Sequence, residues 1–270
     1  MEYVLLLLLL FGGLLAGTLG GLVGLGGGIV IVPLLFGIGA ISHFDISPQI
    51  AVGTSMITVV ITGLSSTLTY MKKKLVDYKS CLYLFIGSGP GGILGAWVNR
   101  YFNDDSFSFY FGLFMVIVAI LLMVKNKIKP IGQPKKFTVS RHIVTPEGEQ
   151  FTYGINLTLA IPIVFFVGFL SGLFGIGGGS LLVPAMIILF SFPPHIAIAS
   201  SMMIVFLSAI LSSITHISLG NVNWLFALLL LPGAWFGGKL GAFINSKLSS
   251  NALVIILRFV LIIVGIRLML

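Results

Sequence analysis

Charge is scarce in this sequence. Only 8% of its 270 residues are Asp, Glu, Lys or Arg, against roughly 25% in an ordinary soluble domain. Fifteen bases and seven acids cannot coat a fold of this size, so lipid must face most of the surface. A single cysteine, Cys81, excludes an intrachain disulfide and argues against a metal cluster. At the start of an apolar segment it reads as a small packing residue. Carboxylates are missing from the depths of the apolar stretches: Asp45, Asp77, Asp104 and Asp105 all fall in loops. That removes support for a proton relay or a cation site built on a buried acid. No Lys-Ser/Thr follows a glycine loop, and there is no G-x-S-x-G elbow or H-E-x-x-H pair. Nucleotide-driven work, hydrolase chemistry and a bound cofactor therefore find no motif here.

What is present is apolar sequence, 57% of the chain. Long apolar stretches cover residues 4–40, 50–71, 81–98, 107–124, 155–190, 196–217, 224–244 and 252–270. Each crossing of a bilayer needs about 20 such residues, and crossings must be helices because an open strand edge cannot be satisfied in hydrocarbon. The runs are too long for the alternating ~10-residue strands of an outer-membrane barrel. The N-terminal MEYVLLLLLLFGG has no basic leader and no convincing cleavage site, and reads as a retained first span.

The net charge of +8 is not a nucleic-acid footprint. The bases gather in residues 72–79 and 125–141, and juxtamembrane clusters of this kind stay in the cytoplasm. Aromatic residues near span ends, Tyr70, Tyr78, Trp97, Tyr101 and Trp224, suit interfacial anchoring.

The chain repeats itself. G-L-V-G-L-G-G-G-I-V-I-V-P (Gly21–Pro33) matches G-L-F-G-I-G-G-G-S-L-L-V-P (Gly172–Pro184). P-Q-I-A-V-G-T-S-M (Pro48–Met56) matches P-H-I-A-I-A-S-S-M (Pro194–Met202), G-I-L-G-A (Gly92–Ala96) matches G-K-L-G-A (Gly238–Ala242), and Asn99 falls on Asn245. These blocks predict an all-α polytopic membrane protein of two homologous repeats, about four spans each. The halves are residues 1–124 and 155–270, joined by a polar linker, 125–154. The linker reads as a plain mobile connection; a small hairpin turning at Pro146-Glu-Gly-Glu is the alternative.

The first segment of each half is over-long, about 54 Å as a helix against a core of about 30 Å. Glycine costs about 1 kcal/mol relative to alanine inside a helix, so Gly26–Gly28 and Gly177–Gly179 should break these segments. The second piece is then re-entrant or a short crossing. Four crossings per half make the repeats parallel, five make them inverted; the uncharged Ser218–Asn223 loop leans towards inversion.

Candidate binding groups follow. A broken helix exposes backbone N–H groups at the positive end of its dipole, a ready anion site, which points to Gly26, Gly27, Gly28, Gly177, Gly178 and Gly179; tight helix packing through small residues is the plainer alternative. Gln49, Thr54 and Ser55, with His195, Ser200 and Ser201, can donate to an oxyanion without burying a full charge, or can bond back to their own helices. Ser65-Ser66-Thr67 and Ser212-Ser213 form a weaker second row. His195 can carry a coupling proton. Lys239 either neutralises an anion or snorkels to the interface, and Arg258 snorkels.

The duplicated G-x-x-G-x-G-G-G-x-x-x-V-P block, followed by P-x-x-A-x-x-[TS]-S-M, resembles the sulfite exporter TauE/SafE family, the toluene-sulfonate uptake permeases. The resemblance runs from about Leu14 to the end and is carried by both halves. Its matching positions are Gly24, Gly26, Gly27, Gly28, Pro33, Thr54 and Ser55, then Gly175, Gly177, Gly178, Gly179, Pro184, Ser200 and Ser201. It implies an inner-membrane secondary transporter for sulfite, a sulfonate or another small organic anion. Energy would come from a proton or sodium gradient. A passive anion channel is the alternative, and a homodimer is left open.

Overall fold

The computed structural model describes residues 2–42, 46–124, 139–144 and 150–245, with Ile262 and Ile266. Its elements in chain order are α1 (Glu2–Val23), α2 (Gly28–Ser42), α3 (Pro48–Lys72), α4 (Tyr78–Asn99), α5 (Asp104–Val124), β1 (Val139–Val144), β2 (Gln150–Ile155), α6 (Leu157–Phe174), α7 (Gly179–Leu189), α8 (Pro194–Ser218) and α9 (Trp224–Asn245). Six of these helices, α1, α3, α4, α6, α8 and α9, are long and apolar enough to cross a membrane. Arg258, Lys247 and most of the last apolar stretch lie outside the described residues.

The glycines do break the over-long segments. α1 stops at Val23 and α2 starts at Gly28, and α6 stops at Phe174 and α7 starts at Gly179. The cause is backbone conformation: Gly24, Gly26 and Gly27 have φ of 82°, 83° and 90°, and Gly175, Gly177 and Gly178 have 73°, 86° and 72°. An L-residue with a side chain meets steric conflict there.

Short-range signals start the other helices. Ser47 caps α3, with Pro48 in the first turn, where its missing N–H costs nothing. Asp77 caps α4 by accepting from the Ser80 N–H, and Asn156 caps α6 by accepting from the Thr158 N–H.

Packing pairs elements of the two halves. α1 lies against α9 and α4 against α6, while α3 packs on both α8 and α9, and α8 on α4. Glycines let backbones touch: a Cβ on Gly17 would lie 2.7 Å from the Ala234 carbonyl oxygen, and one on Gly87 2.6 Å from that of Ile161. Without a hydrophobic force between helices in lipid, such close backbone contact supplies the attraction.

Two expectations need correction. The linker is not a plain mobile connection: β1 and β2 pair antiparallel, from Val139 opposite Ile155 to Val144 opposite Gln150. The expected turn lies outside the described residues. Tyr153 and Ile155 are fully buried, and burial of an aromatic ring gives the hairpin the anchor that its polar composition concealed. Tyr70 is not an interfacial anchor either. It is fully buried, and its hydroxyl donates to the Gly21 carbonyl at 2.6 Å, so the phenol ties α3 to the end of α1. Tyr78, Trp97, Tyr101 and Trp224 are exposed, as anchors should be. Cys81 is buried, a packing residue whose thiol contacts the Ser200 carbonyl at 3.4 Å.

Candidate functional site

The two glycine breaks meet in the middle of the bundle. A Cβ on Gly26 would lie 3.6 Å from the Gly177 Cα, and one on Gly177 would lie 3.2 Å from the Leu25 carbonyl. Val59 and Val205 wall both breaks; a Cβ on Gly26 would sit 3.1 Å and 3.0 Å from them. Each valine is the twelfth residue of a 25-residue helix, so the meeting point is half-way along α3 and α8. Side chains have no room between the loops: a Cβ at Gly28 would run into the Gly175 carbonyl, and one at Gly179 into that of Gly24.

Hydroxyls lock each break to the opposite half. Ser55 donates to the Gly175 carbonyl at 2.8 Å. Ser201 reaches the Gly24 carbonyl at 3.3 Å and the Ile198 carbonyl at 2.8 Å. Thr54 accepts from the Asn223 N–H at 3.0 Å, just ahead of α9, and Ser200 accepts from the Asp77 N–H at 3.0 Å, just ahead of α4. The four hydroxyls predicted beside the glycines are thus all buried and each serves a backbone group, but only Ser55 and Ser201 reach the breaks. The bonds of Ser55 and Ser201 satisfy carbonyls that the broken helices leave over, and those of Thr54 and Ser200 satisfy N–H groups in the connections ahead of α9 and α4.

The remaining predicted residues lie apart. Gln49 donates to the Asn99 and Phe102 carbonyls at 3.2 and 2.7 Å, tying the start of α3 to the end of α4. His195 is exposed, with Nδ1 3.5 Å from the Asn245 Oδ1. Lys239 is also exposed, its Nζ 5.7 Å from the centre of the Trp235 ring, a placement that fits an outward-reaching stem. The serine rows pack helices: Ser65 and Ser66 bond to the carbonyls of Trp235 and Gly238 at 2.6 and 3.1 Å, and Ser212 to that of Gly92 at 3.3 Å. Thr67 and Ser213 keep buried hydroxyls without a partner. Among the described residues, no three His, Cys, Asp or Glu gather to hold a metal.

A cavity of about 10 Å³ opens beside the second break, lined by Ser88, Ser171 and Ser208 with Gly177 and Gly178. Ser88 and Ser208 share a hydrogen bond of 2.7 Å. The sequence reading missed all three serines. Their signal lay in the repeat itself: Ser88 and Ser171 stand where the other half has Ala234 and Gly20.

Comparison with known proteins agrees with this architecture. The chain is 53% identical over 270 residues to a probable membrane transporter protein, YunE, of Bacillus subtilis (strain 168), covering 99% of this chain and 97% of that one. It is 29% identical over 262 residues to a second from the same organism, YjnA, covering 95% and 96%. It is 29% identical over 282 residues to the probable membrane transporter protein MJ0441 of Methanocaldococcus jannaschii, covering 100% and 97%. No solved structure shows a significant match. The family model described as sulfite exporter TauE/SafE matches residues 9–268, nearly the whole chain, and the protein belongs to that family of membrane transporters.

Proposed function

We propose that the protein is a secondary transporter that carries a small oxyanion, of the sulfite or sulfonate class, across the plasma membrane by alternating access. The observation that carries this reading is the meeting of two broken helices half-way along α3 and α8. Discontinuous helices whose positive ends face a mid-membrane site suit an anionic passenger. The cap of α7, Gly178, offers no side-chain bond to that helix start, so its first N–H groups remain for a ligand.

The two halves are read as inverted repeats with re-entrant second pieces. Ser200, near the start of α8, bonds to the residue that opens α4, and Thr54, near the start of α3, bonds ahead of α9. α3 and α8 therefore run in opposite directions. Phe192, just past α7, packs at a tilt against Tyr153, just before α6, with ring centres 4.2 Å apart. That supports a segment that enters and leaves at one end. The hairpin and Lys72–Lys79 sit at that end, which the positive-inside rule assigns to the cytoplasm.

Purified protein in proteoliposomes, with a proton or sodium gradient imposed, tests the reading. Saturable, gradient-dependent uptake of sulfite or methanesulfonate is the expected result. Fast conductance that ignores both gradients would make the protein a channel, and absence of flux for either anion would sink the assignment.

A further inference from the structure

We infer that His216 carries the proton that couples the anion's movement to a pH gradient. The inference rests on the transport reading above and names its coupling ion and the residue that holds it.

The last turn of a helix leaves carbonyls without N–H partners, and the two halves satisfy them alike. In the first, Tyr70 donates to the Gly21 carbonyl and the Asn245 amide to that of Leu22, both at 2.6 Å. In the second, the Asn99 amide donates to the Leu173 carbonyl at 2.8 Å, and His216 Nε2 faces that of Gly172 at 3.1 Å. Every position of this cap matches across the repeat except one: the first half has a tyrosine where the second has a histidine. Tyr70 shows that a phenol suffices to cap the carbonyl. The histidine does the same with one nitrogen and brings a second.

That second nitrogen carries the inference. Nε2 faces a carbonyl, so it bears the hydrogen and Nδ1 keeps its lone pair. His216 is fully buried, and its Nδ1 has no hydrogen-bond partner among the described residues. Leaving a buried polar atom unpaired costs free energy, a cost that the tyrosine cap avoids. Histidine changes charge near neutral pH. A proton that adds to the Nδ1 lone pair makes an imidazolium at the C-terminal end of α6, where the helix dipole favours a cation. One positive charge then offsets a monovalent oxyanion, and the pair moves without net charge. On the other side the proton leaves Nδ1 for water and the ring is neutral again.

Both protonation states have a counterpart at hand. Asn99 holds the carbonyl next to that of Gly172, and its Oδ1 is a buried acceptor without a partner. The Asn221 N–H donates to the His216 carbonyl at 2.9 Å, and its Nδ2 is a buried donor without a partner. The neutral ring needs a donor and the protonated ring an acceptor.

No other ionisable group competes at this end of α8. Of the helices packed on it, α6 and α7 contain none. α3 carries Tyr70 and Lys72 at its opposite end, and α4 carries Tyr78, Lys79, Cys81 and Tyr83 at its opposite end. Arg100, just past α4, lies over the Trp97 and Tyr101 rings at 4.2 and 4.6 Å. α1 has Glu2 and Tyr3 at its start, whereas the break after its other end is what reaches α8. His195 stands at the far end of α8 itself and is exposed, so it is not the proton carrier that its sequence position suggested.

Proteoliposomes holding the full-length protein, in sodium-free buffer with labelled methanesulfonate, test the assignment. Two rates are compared: accumulation driven by an imposed pH gradient, and exchange at equal pH. His216→Tyr installs the cap of the first half, and His216→Gln keeps an amide donor for Gly172. In both, the ratio of driven accumulation to exchange should fall about ten-fold or more. A purely structural role would lower both rates and leave their ratio as in wild type, which would overturn the inference. Wild-type accumulation driven by a sodium gradient but not by a pH gradient would also overturn it while leaving transport intact. As a check that needs no variant, adding sodium methanesulfonate to weakly buffered wild-type protein should draw protons from solution, and no uptake despite anion binding would count against His216. A wild-type protein that neither accumulates nor exchanges sulfite or methanesulfonate would remove the transport reading and this inference together.

Discussion

The two glycine breaks share a motif and a backbone, but they are packed differently. At the first, α1 lies directly on the loop: a Cβ on Gly27 would sit 2.7 Å from the Ala16 carbonyl oxygen. At the second, a side chain stands between helix and loop: a Cβ on Gly178 would meet Ser171 Cβ at 3.1 Å. Backbone against backbone leaves no adjustable space, whereas backbone against a serine side chain leaves a small cavity. The same contrast appears at the end of each leading helix. Tyr70 donates to Gly21 at 2.6 Å, and its counterpart His216 sits 3.1 Å from the Gly172 carbonyl. Duplication kept the frame and let the contents diverge. The first break is thus packed against main chain and the second against side chains.

The largest expected effects break that contrast outright. Gly27→Val and Gly178→Val should both abolish uptake, since a β-branched residue at positive φ is strained and neither loop has room. The smaller step to alanine should separate them. Gly27→Ala pushes a methyl into the main chain of α1, which cannot yield. It should destabilise the protein by about 3 kcal/mol or more, combining strain with overpacking. Gly178→Ala meets only the side chains of Ser171 and Val167, so its cost should stay near the 1–3 kcal/mol of backbone strain alone, with the protein folded but its anion binding lost. Melting curves in detergent, set beside uptake in proteoliposomes, check the pair. Equal destabilisation by the two alanines would erase the distinction between a rigid and an adaptable break.

The interlocking serines offer a finer measure. Ser55→Ala leaves the buried Gly175 carbonyl without its 2.8 Å donor, a loss of about 1–3 kcal/mol. Ser201→Ala removes a contact of 3.3 Å from a hydroxyl that also lies 2.8 Å from its own helix, and should cost about 1 kcal/mol or less. The ratio, read from melting curves, reports how tightly each half grips the other's break. A larger loss from Ser201→Ala would reverse the assignment of rigidity.

Much of this frame was legible in the sequence, because its physics is local or repeated. Scarce charge and long apolar runs gave the membrane, and three consecutive glycines gave the breaks. What could not be read was long-range. Ser55 and Ser201 were visible as hydroxyls near the breaks, but nothing in their spacing says that each serves a carbonyl in the other half. Tyr70 looked like an interfacial ring because it closes an apolar run; only the position of α1 makes it a buried donor. The hairpin was hidden by its polar composition, since the burial of Tyr153 depends on Phe192 and Asp77, both distant in sequence. One signal was available and passed over. Glycines at Gly87, Gly91 and Gly95, and again at Gly233, Gly237 and Gly241, mark α4 and α9 as the helices that pack closest on α6 and α1.

The smallest predicted effect concerns the empty counterpart of the serine trio. Thr62 is fully buried and its hydroxyl has no partner, so the folded protein bears a desolvated donor that does nothing for stability. Thr62→Val keeps the shape and removes the donor. Replacing an unpaired buried polar group by an apolar one of the same shape is neutral or stabilising, so the melting temperature should hold or rise, by at most the equivalent of about 1 kcal/mol. The corresponding change in the second half, Ser208→Ala, removes one member of a bonded pair and leaves Ser88 without its partner, so it should lower stability by about 1 kcal/mol. Opposite signs at matched positions are what an unpaired hydroxyl and a hydrogen-bonded one require. If Thr62→Val also destabilises, its hydroxyl is paired in the folded protein and the contrast between the two halves is lost.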